Sequence, residues 1–204
     1  MDLDRWHRLM NRWSAPQRDD VHADLECAYS EPHRQYHTGQ HIADCLEQLD
    51  RAGDLASARE EVELALWFHD AIYRPTSSKN EIRSAEWAVR FLRSIGADEA
   101  RCRRVFEHIV ATRHGVDALS GDTAVVVDID LSILGREPPE YDVYERAIRE
   151  EYKWVPGPIY RKKRAELLES FLARPVIYET KHFREVYEEG ARRNLRRAIE
   201  VLRS

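Results

Sequence analysis

Apolar side chains recur along most of this chain at the spacing of one face of an α-helix. They fall three, four and seven positions apart, as expected when a helix turns about every 3.6 residues and buries one side. The clearest stretches are Ile42, Cys45, Leu46 and Leu49, then Ala85, Ala88, Val89 and Leu92, and then Leu195, Ile199 and Leu202. Glycine and proline, which interrupt helices, number only 8 each. The pattern therefore predicts an all-α protein.

The predicted helices cover nearly the whole chain. They lie near residues 2–13, 17–29, 39–51, 58–71, 79–94, 98–112, 139–152, 160–173 and 179–203. No stretch between them is long enough to act as a linker, so we expect a single domain over residues 1–204. Its helical core is expected over about 25–135, and a C-terminal helical extension over about 139–204.

One apolar run departs from the helical spacing. Residues 125–131, Val-Val-Val-Asp-Ile-Asp-Leu, begin with three β-branched side chains, which favour strands. A short helix buried on every side gives the same pattern. In an otherwise helical chain we favour the helix.

Capping residues mark several helix starts. Ser57–Glu60 and Ser78–Glu81 both fit the capping box, in which a serine and a glutamate satisfy backbone N–H groups of the first turn. Pro138 and Pro139 predict a further start, because proline there gives up an N–H that would have no partner.

Composition limits the classes of function. Acidic residues outnumber basic ones by 37 to 32, giving a net charge of −5, so a general nucleic-acid binder is not expected. The acidic N-terminus lacks the apolar segment of a signal peptide, and no run of about 18 apolar residues would span a membrane. Three widely spaced cysteines without a CxxC motif favour reduced thiols, and hence a cytoplasmic protein. A homo-oligomer is neither indicated nor excluded.

Two of the nine histidines, His37 and His41, lie four residues apart, a spacing that shares one helix face. Such a pair, taken alone, is most often a surface or capping pair. The zinc-peptidase motif HExxH is excluded, because Thr38 occupies the position of the general base.

Two further segments place carboxylates beside apolar runs. His69 and Asp70 end an almost wholly apolar helix, and Asp128 and Asp130 follow the valines. A buried carboxylate is costly unless it is paired, used as a cap or bound to a cation. Together with His41, these residues supply two imidazoles and two carboxylates. That mixed set suits a divalent ion such as Mn, Fe, Co, Ni, Zn or Mg.

The order H…HD…D resembles that of the HD-domain superfamily of metal-dependent phosphohydrolases, and it implies an HD-type helical core. The metal ligands that the resemblance implies are His41, His69, Asp70 and Asp130. Asp130 is preferred because residues 129–131, with Gly135 downstream, are similar to the family's Ala-Asp-x-Leu region. Asp128 is the alternative ligand.

Residues 36–41 are also similar to the Tyr-His-Asn-x-x-His segment of cyclic nucleotide phosphodiesterases, a branch of the same superfamily. There the first histidine donates a proton and the second binds metal, which implies that His37 is a general acid. Thr38 stands where that branch has asparagine. Residues 68–73 and 80–85 resemble an uncharacterised bacterial branch, a likeness that runs from about residue 25 to the C-terminus.

Three more residues are candidates for the site. Arg34 is expected to bind phosphate bidentately. Glu81 either orients a water as a base or is an ordinary capping-box glutamate. His114 follows a helix end, in the interval where two-metal members of the family carry further histidines, and is a candidate ligand or substrate contact ahead of His108.

Two functions from different classes follow. The first is a metal-dependent phosphohydrolase, in which a metal-activated water attacks a phosphomonoester or phosphodiester. Its partner is a small phosphorylated substrate, and the resemblance makes a nucleotide the expected class. The alternative is a non-catalytic helical module that binds a metal or a nucleotide as a sensor or scaffold.

Overall fold

The computed structural model describes residues 1–113 and 119–204, which form ten α-helices and no strand. The helices are α1 (Leu3–Arg12), α2 (Asp19–Tyr29), α3 (Gly39–Arg51), α4 (Arg59–Phe68), α5 (Asn80–Ser94), α6 (Glu99–Ala111), α7 (Gly121–Asp130), α8 (Pro138–Glu151), α9 (Gly157–Leu172) and α10 (Lys181–Arg203). Short 3₁₀ helices span Gly53–Leu55 and Leu131–Gly135. The predicted all-α class is confirmed, and the predicted helix boundaries agree to within a few residues.

The valine run forms α7, as we favoured over a strand. Every side chain from Ala124 to Ile129 is buried, and the helix packs against α3, α4 and α6. Because all its sides meet other helices, the run carries no helical periodicity in the sequence. No helix in the described ranges is both long and apolar enough to cross a membrane.

Contacts divide the chain into two compact units, Met1–Asp130 and Leu131–Ser204. The first unit holds α1 to α7, and the second holds the 3₁₀ helix at Leu131–Gly135 with α8 to α10. The boundary therefore falls a few residues before the expected start of the C-terminal extension. A single domain over the whole chain stays a prediction.

Helix α4 lies at the centre of the first unit and buries two acidic side chains. Glu63 is 2% exposed and is paired with Arg5, at 2.9 Å, and with Arg12, both of α1. Glu61 is likewise paired with Arg101 and with a second arginine of α6. These charges tie the flanking helices to α4, because a buried carboxylate needs a partner.

The two predicted capping boxes are wrong. Helix α4 begins at Arg59 without a side-chain cap of its own. Instead, Asp122 of α7 accepts hydrogen bonds from the backbone N–H groups of Ser57 and Ala58, each at 2.7 Å. The N-cap of α5 is Lys79, whose side chain makes no capping bond. The proline start of α8 is confirmed.

In the second unit, α10 packs closely against the 3₁₀ helix through a glycine. A Cβ atom at Gly190 would lie 2.6 Å from the carbonyl oxygen of Gly135. Nearby, the Asn194 amide donates to the carbonyls of Leu134 and Arg136, at 3.0 and 2.8 Å. Glycine inside a helix costs about 1 kcal/mol relative to alanine, and this close backbone approach is what requires it here.

Candidate metal centre

Three separate parts of the first unit bring the four predicted ligands to one point. His41 lies in the first turn of α3, His69 and Asp70 follow the end of α4, and Asp130 ends α7. The imidazoles are buried, whereas the carboxylate side chains of Asp70 and Asp130 are 16% and 12% exposed. The nitrogen donors thus form the floor of the site, and the oxygens reach solvent.

The donor atoms lie at the spacing of ligands around one cation. The His41 Nε2 atom is 3.1 Å from His69 Nε2, 3.6 Å from Asp70 Oδ2 and 3.2 Å from Asp130 Oδ1. The His69 Nε2 atom is 3.1 Å from Asp70 Oδ2 and 3.5 Å from Asp130 Oδ1. Ligands about 2.1 Å from a shared divalent ion lie about 3.0–3.4 Å from one another in octahedral or tetrahedral geometry. The residues present therefore fit a metal.

A main-chain carbonyl sets the orientation of His69. Its Nδ1 lies 2.9 Å from the carbonyl oxygen of Leu66. Because a carbonyl only accepts, Nδ1 carries the hydrogen and donates it. In the neutral imidazole, Nε2 then carries no hydrogen, and its lone pair is available to a metal. Nε2 faces the other proposed ligands, as in metal sites with an oriented histidine.

The charges of the cluster shift two pKa values. Burial lowers the pKa of His69, but the carboxylates of Asp70 and Asp130 outweigh it and raise that pKa well above its usual value. Burial raises the pKa of Asp70, but attraction to His69, then to His37 and His41, holds it well below its usual value. The two acids therefore favour a positive charge at this point, which is what a cation site requires.

Sequence reasoning missed Cys45, which it assigned only to the apolar face of α3. The Cys45 Sγ atom lies 3.8 Å from each ring nitrogen of His41, one helical turn away. The group His41, Cys45, His69 and Asp130 could hold a metal ion, since its donor atoms all lie within 4.8 Å of one another. Cys45 could have been found from its position four residues after His41, because residues at that spacing share one helix face.

Arg34 does not occupy the phosphate-binding position that we predicted. Its side chain is fully buried and donates to the main-chain oxygens of His37, Asp70 and Ala71, at 3.0, 2.7 and 3.1 Å. Its Nε also donates to the Glu31 carboxylate at 3.1 Å. A guanidinium committed in this way cannot reach a phosphate, and it instead fixes the turn that carries Asp70.

His37 lies at the edge of the cluster and is half-buried. Its ring stacks on that of Tyr73 with the centroids 4.2 Å apart, and its centroid is 6.1 Å from that of His41. The Tyr36 ring lies 4.7 Å from the His41 ring, between centroids. The predicted acid is thus near the ligands and within reach of solvent.

Three further residues that we predicted for the site are Asp128, Glu81 and His114. Asp128 is fully buried, and the metal-capable group contains Asp130 but neither Asp128 nor Asp70, although Asp70 Oδ2 lies 3.1 Å from His69 Nε2. Glu81 is half-buried in the first turn of α5, and within the described residues its carboxylate makes no hydrogen bond or ion pair with the cluster. His114 lies outside the described residues.

The resemblance to HD-domain proteins rests on the order of a few residues. Comparison with known proteins does not identify a family for the chain. No protein-family model, no curated protein and no solved structure matches the chain. The metal centre is therefore inferred from its own residues and distances.

Proposed function

We propose that this cluster is a divalent metal centre and that the chain is a metal-dependent phosphohydrolase of the HD type. The observation that carries the proposal is the convergence of His41, His69, Asp70 and Asp130. Each histidine Nε2 atom lies 3.1 to 3.6 Å from the other imidazole nitrogen and from one oxygen of each carboxylate, although the residues come from three separate segments. Histidines with carboxylates are typical of metal sites that keep positions open for substrate.

A divalent ion held by these residues would supply Lewis-acid chemistry toward a phosphoryl oxygen and toward water. The chain's own residues then have distinct tasks. His37 holds a proton for the leaving oxygen, because it stands beside the cluster and stays partly open to solvent. Arg34 keeps the Asp70 turn in place through three main-chain carbonyls. The expected substrate is a phosphomonoester or phosphodiester, and a nucleotide is its expected class.

The proposal is tested by measuring metal content and turnover together. The protein is purified without chelator, and its metals are measured by plasma mass spectrometry beside those of Asp70→Asn. Asp44→Asn is the matched control, because Asp44 is an exposed carboxylate on α3, hydrogen-bonded to Gln40 at 2.9 Å. We expect about one metal per chain in the wild type and the control and much less in Asp70→Asn.

The same samples are screened for hydrolysis of phosphomonoesters, phosphodiesters and nucleotides. The assay buffer contains the metal that co-purifies with the protein. Hydrolysis that is lost in Asp70→Asn and kept in Asp44→Asn supports the phosphohydrolase. A nucleotide that raises the melting temperature and is never hydrolysed would favour the non-catalytic binding module. No metal in any sample, even after soaking with Mn, Ni and Zn, would overturn the metal centre.

A further inference from the structure

A second concave site lies beside the turn that carries Asp70. It is a cavity of about 380 Å³, and its charged lining residues are Arg74, Arg83, Arg90, Glu31 and Glu86. We call it the arginine cavity. Its volume falls within the range of about 300–1,000 Å³ that is usual for small-molecule sites.

The three arginines of this cavity differ from most of their neighbours. On the adjacent surface Arg93 is paired with Glu99 at 2.8 Å. Arg74, Arg83 and Arg90 are exposed, and in the described part of the chain their side chains make no ion pair or hydrogen bond. Three cations that share one cavity repel one another unless an anion lies between them.

The acidic residues of the cavity do not balance these charges. Glu31 already accepts from the buried Arg34, with Nη2 at 3.0 Å, so its charge is compensated. That leaves Glu86 against three guanidinium groups. The cavity is therefore a local excess of positive charge on a chain whose net charge is −5.

The arginine cavity is separate from the metal centre. None of the proposed metal ligands lines it. Ala71 and Tyr73, both buried, form part of its wall, and the Tyr73 ring stacks against His37 at 4.2 Å. A ligand in the cavity would thus contact the arginines without contacting the metal ligands.

We propose that the arginine cavity binds a small molecule that carries two or more phosphate groups, and that it does so without a metal. Guanidinium groups bind phosphate oxygens bidentately, which makes arginine the residue of choice for this anion. Arg83 and Arg90 lie seven positions apart on α5, about 10 Å along the helix, a span that two linked phosphates match better than one. The proposal stands apart from the hydrolytic function and does not require it.

The test is the binding of pyrophosphate, measured by titration calorimetry on the full chain in buffer with EDTA and without divalent metal. We expect Arg83→Gln and Arg90→Gln each to weaken binding by about tenfold, the value of one charge-assisted contact. Glu86→Gln should tighten binding, because it removes the opposing charge. Arg146→Gln, at an exposed arginine of α8 that is not among the lining residues, is the matched control and should leave the affinity unchanged.

The opposite signs expected for Arg83→Gln and Glu86→Gln distinguish ligand binding from a structural role, and circular dichroism confirms folding of each variant. Orthophosphate should bind more weakly than pyrophosphate. The proposal is overturned by wild-type protein that binds no pyrophosphate at millimolar concentration, or by equal affinities in all variants. Binding that is lost in Asp70→Asn and kept in Arg83→Gln would also overturn it, since the anion would then lie at the metal centre.

Discussion

Cys45 lies one helical turn after His41 and adds a sulfur donor to a set that otherwise consists of nitrogen and oxygen. A sulfur ligand favours zinc over manganese, whereas carboxylate ligands suit manganese and magnesium. We predict that Cys45→Ser lowers the ratio of bound zinc to bound manganese by about tenfold. The ratio is measured by plasma mass spectrometry after incubation with equal concentrations of both ions. Cys102→Ser, at a buried cysteine outside the group, should leave the ratio unchanged. An unchanged ratio in Cys45→Ser would mean that the Cys45 sulfur does not bind the metal.

Arg34 is a positioning residue, and its replacement should act on stability and on metal binding together. Lysine keeps the charge but cannot serve three carbonyls and the Glu31 carboxylate at once. We predict that Arg34→Lys lowers the free energy of unfolding by about 2–4 kcal/mol, because buried acceptors lose their donors. Urea denaturation measures this change, and metal content should fall in parallel. Arg8→Lys, at a side chain that is 59% exposed, serves as the control. Equal stability of Arg34→Lys and the wild type would contradict the role assigned to Arg34.

Single residues also show how far the sequence leads toward the site. His41, His69, Asp70 and Asp130 could be named as candidates because carboxylates beside apolar runs need compensation and because the order H…HD…D resembles that of the HD-domain superfamily. The choice of Asp130 over Asp128 came from that resemblance. Cys45 was not named, because a cysteine on an apolar helix face looks like any core residue. Besides Glu31, the acceptors of Arg34 are main-chain oxygens, which cannot be recognised from the order of side chains.

At the level of the helices, the backbone just before α4 is held by a residue that is distant in sequence. Asp122 accepts from the N–H groups of Ser57 and Ala58, whereas the sequence pattern pointed to the Ser57 side chain. We predict that Asp122→Ala lowers the free energy of unfolding by about 1–2 kcal/mol, the usual value of a helix cap. Ser57→Ala should change it by much less. Both are measured by urea denaturation, and the reverse order of effects would restore the capping box.

The same comparison explains which elements were predictable. Amphipathic helices such as α3 and α5 follow from spacing, because one face is buried and the other is not. Helix α7 was ambiguous for the opposite reason, since burial on all sides removes the period. The predicted caps of α4 and α5 were wrong because an unpaired N–H group can donate to any suitable oxygen. Packing brought the Asp122 carboxylate to the N–H groups of Ser57 and Ala58, just before α4.

For the molecule as a whole, acidification should act through a buried histidine outside the metal centre. His22 is 5% exposed, its ring lies 5.8 Å from that of Trp67, and in the described residues its Nε2 has no hydrogen-bond partner. Burial lowers its pKa below the usual 6.5. The unfolded chain then binds the proton more readily, so the stability is full above pH 6.5 and is lost as the pH falls through 6.5 toward the lowered pKa.

We therefore predict that His22→Phe reduces the loss of stability between pH 7.5 and pH 5.5. Urea denaturation at the two pH values gives the difference for each protein. The other titrating groups, His69 among them, are common to both proteins and cancel in the comparison. An equal loss in His22→Phe and the wild type would mean that His22 does not contribute.

The proposed ligands lie far apart in the sequence, since His69 comes 28 positions after His41 and Asp130 comes 60 positions after Asp70. An ion bound to them would cross-link α3, the end of α4 and α7, and would close two long loops at once. We predict that each tenfold rise in free metal above its dissociation constant adds about 1.4 kcal/mol to the free energy of unfolding. Thermal melting with added metal or EDTA measures this, and Asp70→Asn should respond little. Melting would then report metal affinity before any substrate is known.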